Sequence, residues 1–109
     1  MPDIAAPAGV MLDTTLRRIW ENTANPARRA VVRIRLNNVD GAADATLNRC
    51  VFRDADPASD VHLLPVGTII EKGDGIEFDQ VCEPGDGIWG AASAPDDVQA
   101  VVNVFWEPA

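Results

Sequence analysis

Apolar and polar positions alternate most regularly in Ala30-Val31-Val32-Arg33-Ile34-Arg35-Leu36-Asn37. Val32, Ile34 and Leu36 fall on one side, and Arg33, Arg35 and Asn37 on the other. A period of two is that of a strand with one face in a core and one in water. Asn38-Val39-Asp40-Gly41 ends it, because Asp-Gly favours a hairpin-type turn. The chain closes on the same pattern: Val98, Ala100, Val102, Val104 and Trp106 share one face of Val98 to Trp106. Shorter apolar runs predict strands at Leu16 to Trp20, Ala45 to Arg53, Val61 to Val66, Thr68 to Ile70, Ile76 to Val81 and Ile88 to Ser93. Pro65 makes Val61 to Val66 an edge strand or the end of one. About eight short strands at intervals near 10 residues indicate a sandwich or barrel. No helical period is sustained anywhere. The expected fold is all-β, a single-domain antiparallel β-sandwich or jelly-roll-like barrel over residues 14–109. Met1 to Asp13 has Pro2, Pro7 and Gly9 among small residues and no period, so residues 1–13 read as an extended N-terminal arm.

One corner occurs twice. Glu71-Lys72-Gly73-Asp74-Gly75-Ile76 and Glu83-Pro84-Gly85-Asp86-Gly87-Ile88 agree at all positions but one. Glycine supplies positive φ, aspartate accepts backbone hydrogen bonds in the turn, and isoleucine starts the next strand inward. The carboxylates of Asp74, Asp79, Asp86 and Glu83 are oxygen donors of the kind calcium takes. Yet the EF-hand spacing is absent, and turn chemistry accounts for the same residues without a metal.

With 109 residues the chain is long enough for one domain and too short for two. No apolar run approaches the roughly 20 residues of a membrane helix. Met1 to Met11 lacks the basic start of a signal peptide, so synthesis in the cytoplasm is expected, without membrane contact. The net charge is −8, and it is unevenly spread. All eight arginines lie between Arg17 and Arg53, while residues 56–109 hold eleven acids against the single Lys72. So acidic a chain repels phosphate backbones, which excludes nucleic acid as the expected partner. The imbalance suits contact between copies, basic region to acidic region. Alternatively, strand pairing mixes the two halves in space.

No reaction centre can be read from the sequence. His62 is the only histidine, Ser59 and Ser93 are the only serines, and there is no tyrosine. Asp60 and His62 would share one face of a strand, but no nucleophile motif accompanies them. Cys50 and Cys82 have neither metal-ligand spacing nor a histidine cluster, and are expected as two buried free thiols, the alternative being a disulfide to each other or across subunits should the protein end up outside a cell. No catalytic, cofactor or metal site is expected.

Contact residues are easier to nominate. Phe105 and Trp106 alternate, so one faces each side of their sheet and at least one should meet a neighbouring subunit or sheet. Trp20, Trp89 and Trp106 are core or interface residues, since tryptophan buries a large area while keeping a polar edge. Arg33 and Arg35 project from one strand face, as contacts to a partner or as charges guarding a sheet edge. Arg33, Arg35, Phe105 and Trp106 are therefore the candidate interface.

The run from Arg28 to Ala42, with Leu36-Asn37-Asn38-Val39-Asp40-Gly41-Ala42 at its end, resembles small β-structured virion proteins of tailed bacteriophages. Leu64-Pro65-Val66-Gly67-Thr68, the segment Cys82 to Ala94 and the valine-rich stretch Asp97 to Val104 extend the resemblance over residues 15–106. Cys82 stands where that family usually has an aliphatic residue. The resemblance implies a virion structural protein. It would be a capsid decoration (cement) protein, seated as a symmetric homo-oligomer, a trimer, on the major capsid protein, with the arm along the shell. A neck or tail accessory or fibre-base subunit is the alternative. A carbohydrate-binding module, using exposed tryptophans, is another.

Overall fold

The computed structural model describes residues 3–4, 8–54 and 60–108. Its strands are β1 (Asp3–Ile4), β2 (Ala8–Met11), β3 (Arg17–Glu21), β4 (Ala30–Asn38), β5 (Ala45–Arg53), β6 (Asp60–Leu64), β7 (Thr68–Ile70), β8 (Gly75–Cys82), β9 (Gly87–Ala92) and β10 (Val98–Trp106). One sheet runs β8-β4-β10, with β1 and β2 along the outer edge of β10. The other runs β3-β9-β5, with β6 and β7 along the outer edge of β5. Every pairing is antiparallel. The chain changes sheet at each connection except those joining β1 to β2 and β5 through β7. With β1/β2 and β6/β7 each counted as one broken edge strand, this is the strand order of a jelly roll. The all-β sandwich expected from the sequence is the fold.

The long alternating strands form the middle of the sandwich. Ala30, Val32, Ile34 and Leu36 of β4 point inward beside Val98, Ala100, Val102 and Val104 of β10. Leu47 and Cys50 of β5, Ile70 and Ile88 meet them from the opposite sheet. In β5 the inward positions slip from Leu47 to Cys50, because the register against β9 shifts there and Asn48 is inserted as a bulge. The Asn48 amide donates to the Ala92 carbonyl (3.1 Å), so the extra residue has a partner. Ile34 is fully buried, and Ile34→Ala is expected to cost about 3 kcal/mol, read as a lower urea midpoint at unchanged m.

The repeated corner closes the sandwich at both ends. After Glu71 and after Glu83, glycines at φ 77° (Gly73) and 89° (Gly85) turn the chain. A buried asparagine from a neighbouring strand end plugs each turn. At one end the Asn22 side-chain amide donates to the carbonyls of Arg28 (2.9 Å) and Cys82 (3.1 Å). Its Oδ1 accepts from the Ala24 amide. At the other end Asn38 donates to the carbonyls of Ala43 (2.9 Å) and Ile70 (3.0 Å), and accepts from the Asp40 amide. The backbone repeats as well: Asn22 N–H donates to the Asp86 carbonyl, and Asn38 N–H to that of Asp74.

The N-terminal segment departs from the sequence expectation. Ala8–Met11 is extended but not apart from the sandwich, because its backbone pairs with Val102 to Gln99. Leu12 then turns into the core, its N–H donating to the Val98 carbonyl (2.9 Å). Asp3–Ile4 pairs with Trp106 and Phe105. The expected strand Val61 to Val66 stops at Leu64, where a turn at Pro65 hands over to β7.

Candidate interaction surface

The outer face of the β8-β4-β10 sheet is built in rows by strand register. Phe105, Val31 and Val81 lie opposite one another across three strands. The next row is Asn103, Arg33 and Asp79, and the one after it Val101, Arg35 and Glu77. Arg33 Nε donates to Asp79 Oδ1 (3.0 Å), and its guanidinium sits 5.6 Å from the Phe105 ring centre. Arg35 stands 4.0 Å from Glu77 and donates to Asn37 Oδ1 (2.7 Å). Three of the four nominated residues, Arg33, Arg35 and Phe105, thus share one exposed face. They do not guard an edge, because β4 is paired on both sides, by β10 and β8.

Trp106 lies elsewhere. Its ring meets Trp20 of the opposite sheet at 5.7 Å between centres, and the Arg28 guanidinium stands 4.8 Å from it. Trp106 is therefore a contact between the two sheets, where Arg29 also clamps Glu107 with two hydrogen bonds (2.9 and 3.0 Å). A cleft of about 260 Å³ opens beside β3, lined by Arg18, Ile19, Trp20, Glu21 and Thr23.

The outer face of the other sheet carries Trp89 under the Arg53 guanidinium (4.7 Å). The Asp60 carboxylate accepts from both Arg53 (2.8 Å) and Arg49 (3.0 Å). The Arg53 hydrogen bond comes first among the causes that hold the Asp60 carboxyl below the ordinary carboxylate range. Asp60 is thus engaged by guanidiniums rather than poised to orient His62, which is exposed on β6. Ser59 lies outside the described residues. Burial pushes the thiols of Cys50 and Cys82 up to about 12, helped at Cys82 by the nearby Asp86 charge. Both are buried and free, and protonated thiols are poor nucleophiles. Among the described residues no three or more His, Cys, Asp or Glu side chains gather into a metal-binding group. Nor is any helix long and apolar enough to cross a membrane.

These features define a jelly-roll sandwich with two broad, largely polar outer sheet faces. A chain of the solved acidic stable capsid structure of Helicobacter pylori bacteriophage KHP30 is similar to it, with a TM-score of 0.50 over 100% of this chain and 95% of that one. At 11% identity the likeness is one of fold. No protein-family model and no curated protein matches the sequence.

Proposed function

We propose that this chain is a non-enzymatic structural protein of a tailed-bacteriophage virion, decorating the outside of the head as a symmetric oligomer, a trimer. The observation that carries the reading is the full-length likeness to a chain of a phage capsid structure. The sequence resemblance to phage virion proteins over residues 15–106 supports it independently. Its partners are the major capsid protein, other virion proteins and further copies of itself. A jelly roll with flat, solvated faces suits this role, since symmetric assembly multiplies weak surface contacts into firm attachment.

Arg33, Arg35 and Phe105 form the face that meets a partner. Arg33 and Arg35 are exposed, and their ion pairs with Asp79 and Glu77 are solvent-screened, so the pairs add little to folding. At a desolvated contact the same charges orient the partner while apolar groups supply affinity. The double variant R33S/R35S tests this with heads stripped of the protein. Binding is expected to fall at least tenfold while the thermal midpoint stays nearly unchanged. Full binding by the variant removes this face from the attachment surface, and failure of the wild-type protein to bind heads contradicts the decoration role.

A further inference from the structure

The chain contains three Asp-Gly pairs, Asp40-Gly41, Asp74-Gly75 and Asp86-Gly87. Such a pair carries its own reaction. The glycine amide nitrogen attacks Cγ of the preceding aspartic acid, and the new C–N bond closes a five-membered succinimide. The Cγ hydroxyl leaves as water, taking the amide proton with it. Water then adds back to one of the two ring carbonyls. Opening at Cγ restores aspartate, whereas opening at the main-chain carbonyl breaks the old peptide bond and leaves isoaspartate, with the chain running through Cβ and Cγ. Glycine allows the attack because no Cβ shields its nitrogen. What separates the three pairs is whether the fold lets carboxyl and amide meet in the reacting geometry.

Both pairs in the repeated corners are locked. Asp86 is buried, its Oδ2 accepts from the Glu83 N–H (2.9 Å), and its carbonyl accepts from the Asn22 N–H. Gly87 is held in β9 between Glu21 and Arg53. Asp74 is exposed, but the Gly75 N–H donates to its Oδ1 (2.8 Å). The carboxylate therefore lies at the edge of the peptide plane, away from the face from which the nitrogen attacks. Its carbonyl accepts from the Asn38 N–H, and Gly75 is packed so closely on β4 that a Cβ would stand 2.6 Å from Asn37 Oδ1. Asp40-Gly41 is unlike either. The loop from Asp40 to Asp44 is exposed, and a Cβ on Gly41 would meet nothing within 4 Å beyond its chain neighbours. Neither the Asp40 carboxylate nor the Gly41 N–H has a hydrogen-bond partner among the described residues. We propose that Asp40 is the modification site of the folded protein, where it converts to isoaspartate on standing. The conversion reaches the core. Asn38 holds the loop on both sides of the reacting bond, through the Asp40 N–H and the Ala43 carbonyl. Isoaspartate lengthens the main chain between those two anchors by one methylene and so loosens the buried asparagine.

The test is peptide mapping of protein kept in warm, mildly acidic buffer, with electron-based fragmentation to tell isoaspartate from aspartate of equal mass. It does not depend on the virion reading, because no phage particle takes part. The folded wild type is expected to carry at least about tenfold more isoaspartate at residue 40 than at 74 or 86, since those pairs must open locally before they react. The same chain unfolded in urea should convert at all three. As residue 40 converts, the urea midpoint of the refolded wild type should fall. That of D40E should hold, because the longer side chain closes a larger ring far more slowly. Folded protein with no isoaspartate at residue 40, or with as much at 74 or 86, overturns the assignment. A midpoint that stays constant while residue 40 converts overturns the link to Asn38.

Discussion

Replacing Asn22 by Ala is expected to lower the stability of the domain by about 2–4 kcal/mol, and Asn38→Ala by a similar amount. Each side chain is buried and satisfies two backbone carbonyls and one N–H that have come to a strand end. Alanine leaves these groups in a dry corner, where an unpaired polar group costs about 1–3 kcal/mol. A water entering the vacated space recovers part of that, which sets the lower end of the range. The corners sit at opposite ends of β4, roughly 25–30 Å apart, so the two costs should add in the double variant. Against a total of about 5–15 kcal/mol for a typical domain, N22A/N38A removes a large share. Urea titration measures it. A double variant within about 1 kcal/mol of the wild type would mean that the turns hold themselves and the asparagines merely fill space.

Deleting Met1 to Leu12 should cost at least as much as either single asparagine. The deletion removes a fully buried leucine, about 2–3 kcal/mol of apolar transfer alone. It also strips the β2 ladder from β10 and turns an interior strand into an exposed edge. The truncated protein is expected to unfold at a markedly lower urea concentration and to aggregate. Leu12→Ala separates the contributions, because it should lose about 2–4 kcal/mol while leaving the ladder in place. A truncated chain as stable as the full-length one would restore the free arm that the sequence suggests. Decoration through a loose tail would then be open again.

What the sequence does not reveal about this segment has a physical cause. Ala8 and Gly9 have almost no side chain to alternate, so β2 is held by its backbone hydrogen bonds and by Leu12, neither of which leaves a periodic trace. In β4 and β10, by contrast, nine-residue runs with bulky inward residues announce both the strand and its buried face. Between these extremes, β5 blurs its alternation because the Asn48 bulge shifts the inward positions by one.

The surface was legible only in part. Parity along β4 places Arg33 and Arg35 together, but only the register against β10 and β8 adds Phe105, Asp79 and Glu77 to their face. Strand alternation likewise puts Trp106 opposite Phe105, yet its pairing with Trp20 depends on how the two sheets meet. The duplicated Gly-Asp-Gly corner is plain in the sequence. Its asparagine plugs are not, because Asn22 and Asn38 look like ordinary turn residues and find partners 60 and 32 positions away. The partial exposure of Leu63, Leu64 and Ile76 was hidden for the same reason: aliphatic residues in β6 and β8 look like core until the position of those strands at the sheet edges is known.

The decoration role is tested most directly by the number of copies in the purified particle, counted by quantitative mass spectrometry against the major capsid protein. A head decoration protein must be present in hundreds of copies, in fixed ratio to the capsid subunit. A handful of copies per particle would assign it to the neck or tail, and its absence from washed particles would contradict a structural place in the virion altogether.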